Sequence, residues 1–197
     1  MRARLSSRRF IGREGELAEL ELAAREAAAG RPGLVLLGGD SGVGKTRLIA
    51  ELEQRLRSAP DAEASLVLRG DAVQASDGEL PYAALLGALR PLVRARDPVF
   101  AALPDATRSQ LAALLPGLQD GPARQPPGEG EGSARIAMFE ALLALLDRLS
   151  ERTPLVLILE DMHWADRPTL AFVGFLVRSM RSERVLMVLS YRTDELY

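Results

Sequence analysis

The run Gly38-Gly39-Asp40-Ser41-Gly42-Val43-Gly44-Lys45-Thr46 fits the spacing G-x-x-x-x-G-K-T from Gly39 to Thr46. These residue types at this spacing suit the binding of a phosphate chain. Glycine has no Cβ, so the backbone N–H groups of such a loop can turn toward one anion. A helix that starts where the loop ends adds unpaired N–H groups and the positive end of its dipole. Lys45 would then reach the β and γ phosphates, and the Thr46 hydroxyl would ligate Mg²⁺. Lys45 is the only lysine in the chain, every other cationic side chain being arginine. A compact ammonium on a flexible stem therefore stands at the one position that wants it.

A second candidate constellation lies well downstream, where the apolar run Leu155-Val156-Leu157-Ile158-Leu159 leads directly into Glu160-Asp161. Strands often end in carboxylates, and Asp161 could simply cap a turn. With a phosphate loop in the same chain, however, an acid at a strand's C-terminal end is what a Mg²⁺·nucleotide site needs. Two adjacent acids allow two jobs: one holds the metal, the other orients or deprotonates an attacking water. His163 and Trp164 are the chain's single histidine and single tryptophan. Without a second histidine or a cysteine, His163 suits packing or hydrogen bonding better than a metal site. Trp164 reads as a core anchor. Arg192, just beyond the last apolar run, is open to two readings, a surface ion pair or a γ-phosphate contact.

The elements that must carry these residues follow from hydrophobic periodicity. Glu14 to Ala29 predicts a helix closed by Gly30 and Pro32, with Gly12-Arg13-Glu14 as its turn and start. Leu34 to Leu37 is a strand apolar on both faces, as in a parallel sheet covered by helices. The next helix puts Leu48, Ile49, Leu52 and Leu56 inward. Ser65 to Arg69 is the second strand, with Gly70-Asp71 as its exit. Pro81 to Val93 is helical with Leu85, Leu86 and Leu89 inward, and Asp105 to Leu115 is a short helix capped by Asp105. Glycine, proline and charge dominate from about 116 to 133, which predicts a mobile surface loop. Ser133 to Ser150 is a helix with Ile136, Phe139, Leu143 and Leu146 on one stripe, widened by Leu142 and Leu149. Leu155 to Leu159 is a buried strand. Asp166 caps a helix from Arg167, with Pro168 in its first turn and Ala171, Phe172, Phe175 and Leu176 inward. Val185 to Leu189 is the last strand. The alternation gives an α/β, doubly wound parallel sheet.

Composition sets bounds. A chain of 197 residues, 47% hydrophobic and 26% charged, suits one α/β domain with a full core. A net charge of −2 argues against a nucleic-acid surface. Residues 1–9 are arginine- and serine-rich and are expected to form a disordered tail rather than a secretory signal. No apolar stretch approaches the roughly eighteen residues a membrane helix needs. The absence of cysteine suits the cytoplasm, the expected location.

Phe10-Ile11-Gly12-Arg13-Glu14, the phosphate loop, Leu80-Pro81-Tyr82, the string from Leu157 to Asp166 and Ser190-Tyr191-Arg192 together resemble the AAA-type ATPase domain of the STAND class. The resemblance is nearest to large ATP-binding LuxR-type bacterial transcription regulators. It implies a three-layer P-loop NTPase fold of the AAA/ASCE type over residues 10–197, and a switch that exchanges ADP for ATP and assembles. By position it implies that Gly12, Arg13 and Glu14 lie near adenine and ribose. Gly39, Asp40, Ser41, Gly42, Val43, Gly44, Lys45, Thr46 and Arg47 would enclose the phosphates. Thr46 and Glu160 would hold Mg²⁺, Asp161 the water, and Arg192 would sense the γ-phosphate. Glu160 departs from the aspartate of many relatives, and its extra methylene suggests slow turnover. The family's fifth strand, helical domains and DNA-binding helix-turn-helix do not occur within these residues. The resemblance implies that they follow in a parent chain, which leaves the P-loop strand at a sheet edge. An ATP-hydrolysing switch is the leading expectation, and nucleotide-dependent self-association without useful hydrolysis the second. A small-molecule kinase ranks last, and no direct nucleic-acid or membrane partner is expected.

Overall fold

The computed structural model describes residues 12–60, 64–74, 81–115, 117–118 and 131–195. The expected tail and most of the expected mobile loop lie outside these residues. The described elements follow the sheet and helix alternation. They are α1 (Glu14–Ala28), β1 (Gly33–Gly39), α2 (Lys45–Ser58), β2 (Leu66–Asp71), α3 (Ala83–Arg94), α4 (Asp105–Leu114), α5 (Glu131–Arg152), β3 (Leu155–Glu160), α6 (Arg167–Ser179) and β4 (Val185–Arg192). The four strands form one sheet in the order β1-β4-β3-β2, with every pairing parallel.

Two apolar layers sandwich the sheet. On one face Leu17 and Leu20 of α1 and Leu48, Ile49 and Leu52 of α2 pack on Val67, Val156, Ile158, Leu186 and Val188. On the other, α3, α5 and α6 bring Leu85, Leu89, Leu142, Leu145, Phe172 and Leu176 against Leu155, Leu157, Leu159, Met187 and Leu189. β3 is buried along its whole length, as a central parallel strand covered on both faces must be. All four strands run the same way, so their C-terminal ends share one sheet edge. That edge carries the candidate site.

Several local expectations are corrected. β1 lies at the edge of the described sheet, as the resemblance implied, but it is covered on one face only and not on both. Val35 and Leu37 pack against the α1/α2 layer. Leu34 and Leu36, which alternate to the other side, are 37% and 57% exposed. Gly70 and Asp71 belong to β2 rather than to its exit. Gly70 is there because α3 crosses at backbone contact, where a Cβ would sit 1.9 Å from the Ala84 carbonyl oxygen. Pro104, not Asp105, occupies the cap position of α4, and the Asp105 carboxylate pairs with Arg108 instead. α5 starts at Glu131 rather than Ser133. Its Ile136 is 59% exposed, while Leu145, absent from the expected stripe, is fully buried. In α6, Ala171 faces water and Val173 faces the core. Asp166 does cap α6, accepting the Thr169 N–H at 2.8 Å, with proline in the first turn.

Candidate nucleotide site

The loop after β1 turns through Gly42 and Gly44, at φ of 80° and 95°. A side chain would be strained in either conformation. Gly44 occupies the N-cap position of α2 and, being glycine, supplies no side-chain cap to the N–H groups of that terminus. Lys45 is the first residue of α2. Its Nζ donates to the carbonyl oxygens of Gly39, at 2.6 Å, and Asp40, at 3.0 Å, folding the ammonium back over the loop. Ser41, Gly42, Val43, Thr46 and Arg47 are exposed around it.

The end of β4 lies beside this loop because Gly39 pairs in register with Arg192. The Thr193 hydroxyl donates to Asp40 Oδ1 at 2.6 Å, and the Thr193 N–H donates to the Gly39 carbonyl at 3.4 Å. Arg192 itself is engaged by acids. Its Nη2 lies 2.7 Å from Asp194 Oδ2, and its Nη1 contacts Glu195. The Asp194 hydrogen bond raises the Arg192 pKa. The same bond lowers that of Asp194, with Lys45 as a smaller influence of the same sign.

β3 delivers the two acids differently. Asp161 leaves the strand in the left-handed conformation, at φ 54°, and donates its N–H to the buried Ser190 Oγ at 3.2 Å. Glu160 stays in the strand with its side chain 3% exposed, in contact with Arg69 Nη2 of β2. Apart from this ion pair, Glu160 Oε1 is a buried oxygen with no hydrogen-bond partner. A carboxylate oxygen in that condition, on the face shared with α2, fits Mg²⁺, which takes one or two carboxylates together with substrate phosphates. Among the described residues no group of three or more His, Cys, Asp or Glu could hold a metal ion. Oxygens of a nucleotide would have to complete the coordination.

After Asp161, Met162–Trp164 form a 3-10 turn. The His163 side chain is buried, and its Nδ1 accepts the Arg192 N–H at 3.4 Å while its Nε2 lies 3.1 Å from Glu195 Oε2. This agrees with the hydrogen-bonding role expected for it. Trp164 is not the expected core anchor: it is 38% exposed, its ring 4.6 Å from that of His163. The 3-10 turn points it outward while Met162 fills the core.

Thus the phosphate loop, Glu160-Asp161 and Arg192 share one sheet edge. Gly12-Arg13-Glu14 lies at the start of α1. There the Gly12 N–H donates to both Glu14 carboxylate oxygens, at 3.1 and 3.2 Å. Backbone N–H groups of Glu14 and Gly12 hold the Glu14 pKa below its ordinary value.

Two partners escaped the reading of the sequence. Arg69 interrupts the apolar run Leu66-Val67-Leu68, and a charge inside a strand calls for a buried counter-charge. That signal was legible, although its partner was not. The Asp40–Thr193 bond joins residues too distant in the chain for any local pattern to announce it.

Among the described residues no helix is long and apolar enough to cross a membrane. The family model for an AAA ATPase domain matches residues 9–188. The chain is also 30% identical over 199 aligned residues to an uncharacterized protein of Rhizobium meliloti (strain 1021). That match covers 93% of the chain but only 18% of the relative, so the chain spans less than a fifth of that protein's length. A phosphate loop at a helix N-terminus, acids at the end of a buried parallel strand and a family match over nearly the whole chain agree: the chain belongs to the AAA ATPase domain family.

Proposed function

We propose that this chain is an ATP-binding, slowly hydrolysing switch domain of a bacterial transcription regulator of the LuxR type within the STAND class. One observation carries the nucleotide part. The glycine loop at the N-terminus of α2 and the Glu160-Asp161 pair at the end of β3 meet at one edge of the sheet. The regulator part rests on the sequence resemblance alone.

In this reading the amides of Gly39 to Lys45 and the Arg47 region enclose the phosphates, and Gly12, Arg13 and Glu14 border the base and ribose. Lys45 exchanges the Gly39 and Asp40 carbonyl oxygens for phosphate oxygens, a charge-assisted and therefore stronger pairing. Thr46 and Glu160 would hold Mg²⁺, which when bound would supply positive charge to offset that developing on the phosphates. Asp161 orients the attacking water and receives its proton. Arg192 leaves Asp194 and Glu195 to meet the γ-phosphate, so that ATP and ADP are told apart at the end of β4. Such a switch would work in the cytoplasm, together with helical and DNA-binding domains of a parent chain.

The test is phosphate release from Mg·ATP. Turnover by the 197-residue chain that disappears in Lys45→Ala supports hydrolysis, and turnover no greater than in that variant rejects it.

A second reading is favoured by the engagement of Arg192 with Asp194 and Glu195 and of Glu160 with Arg69. These contacts suit a module that senses nucleotide and assembles without useful hydrolysis. It predicts a nucleotide-dependent change of molecular size that survives Asp161→Ala. An unchanged size on exchanging ADP for ATP would reject it.

A further inference from the structure

Arg69 lies on β2 opposite Ile158 of β3, which makes Glu160 its diagonal neighbour. Val67 and Ile158 pack in the α1/α2 layer, so the period-two alternation of a strand puts Arg69 and Glu160 on that face as well. The guanidinium bridges two carboxylates. Nη2 meets Glu160, and Nη1 lies 3.5 Å from Glu53 Oε2 on α2, the helix that begins at Lys45. The three side chains differ in their access to water: Glu160 is 3% exposed, Glu53 20% and Arg69 30%.

We infer that Arg69 is a latch on the metal-binding carboxylate: it holds Glu160 in the nucleotide-free chain and must yield it when Mg²⁺·nucleotide is loaded. The inference rests on the reading of Glu160 as a Mg²⁺ ligand. One buried carboxylate oxygen cannot serve a guanidinium and a divalent cation at full strength, because the two positive charges repel at that distance. Glu53 makes the exchange feasible. A guanidinium released from Glu160 still has a carboxylate within reach and partial access to water, so it is not stranded. A contact made more strongly in the metal-free state lowers metal affinity by its own coupling to that state. Arg69 is therefore a positioning residue that sets how much Mg²⁺ loading requires, and Glu53 sets how readily Arg69 lets go. A purely structural Arg69 would change stability without changing the Mg²⁺ requirement in this direction.

The experiment titrates Mg²⁺ into the chain mixed with a fluorescent ADP analogue, mant-ADP, and reads the half-saturating Mg²⁺ concentration, with EDTA samples giving the metal-free affinity. Arg69→Gln should lower that concentration on the order of tenfold, with Arg69→Lys in between and the EDTA affinity unchanged. Glu53→Gln should raise it about two- to threefold, because the guanidinium then has Glu160 as its remaining partner in this bridge. Glu53→Gln keeps the buried pair intact and carries the test alone if Arg69→Gln does not fold. The latch is overturned if mant-ADP binds but Arg69→Gln leaves the Mg²⁺ requirement unchanged or raises it, or if Glu53→Gln lowers it or leaves it unchanged. Absence of mant-ADP binding by the unmodified chain would overturn the nucleotide reading, and the latch with it.

Discussion

Replacing Asp166 by alanine should cost this fold about 3 kcal/mol although Asp166 closes a string of apparent catalytic character. Its carboxylate makes three hydrogen bonds. Oδ1 accepts the Thr169 N–H at 2.8 Å and the Tyr82 N–H at 3.1 Å, and Oδ2 accepts the Thr169 hydroxyl at 2.7 Å. Loss of an N-cap costs about 1 kcal/mol. The Thr169 hydroxyl, in a residue with no exposure, and the Tyr82 N–H are then left without their partner, at about 1 kcal/mol each. The sum is a large share of a typical stability of about 5–15 kcal/mol. It corresponds to a fall in Tm of roughly 6–12 °C for a chain of this size. Urea unfolding at constant m-value gives the cost directly. Thr169→Val should add little in the Asp166→Ala background, because the two residues share one network. A cost below about 1 kcal/mol, or simple additivity of the pair, would refute the assignment of Asp166 as a structural knot joining α6 to the segment before α3. Well below its midpoint, folded Asp166→Ala should bind ADP normally.

Gly70→Ala should destabilise by roughly 3 kcal/mol, since its Cβ would meet the α3 backbone and no side chain can move aside. Thermal unfolding checks this, and a change within 0.5 kcal/mol, the size usual at a surface site, would mean that α3 does not cross β2 there. Burial raises the Tyr82 phenol above its ordinary value of 10.0, with the Asp166 charge acting in the same direction. The stability it contributes is fully present below that pH and is lost as pH rises through the folded value. Tyr82→Phe should therefore flatten the alkaline fall in urea midpoint, and an identical fall in both proteins would contradict the burial. Arg192→Ala should weaken ATP roughly tenfold while sparing ADP. Competition against mant-ADP reads both, and an equal loss for the two nucleotides would remove Arg192 from the γ-phosphate.

How much of this was legible in the sequence depends on the range of the forces involved. The loop from Gly39 to Thr46 was readable because its spacing is imposed by local backbone geometry, and the cap at Asp166 because its partner is three residues away. The buried run of β3 was equally plain. What failed was decided by neighbours distant in the chain. Leu34 and Leu36 look like core residues, yet one face of β1 is left open; its edge position was implied by the family resemblance and is not encoded in the strand's own pattern. Trp164 looks like an anchor, yet the turn after Asp161 rotates it outward. Gly70 looks like a strand exit until α3 is seen against it. The partners of Arg69 and Asp40 come from other strands and helices, and only the assembled sheet brings them together.

The central claim is that this loop and its single lysine bind a nucleotide triphosphate. Isothermal titration of ATP in Mg²⁺ buffer into the unmodified chain and into Lys45→Ala tests it most directly. The account predicts saturable binding of one ATP per chain and a loss of roughly a hundredfold or more in the variant, the scale of a charge-assisted phosphate contact together with the loop it organises. No binding by the unmodified chain, or equal binding by Lys45→Ala, would contradict it.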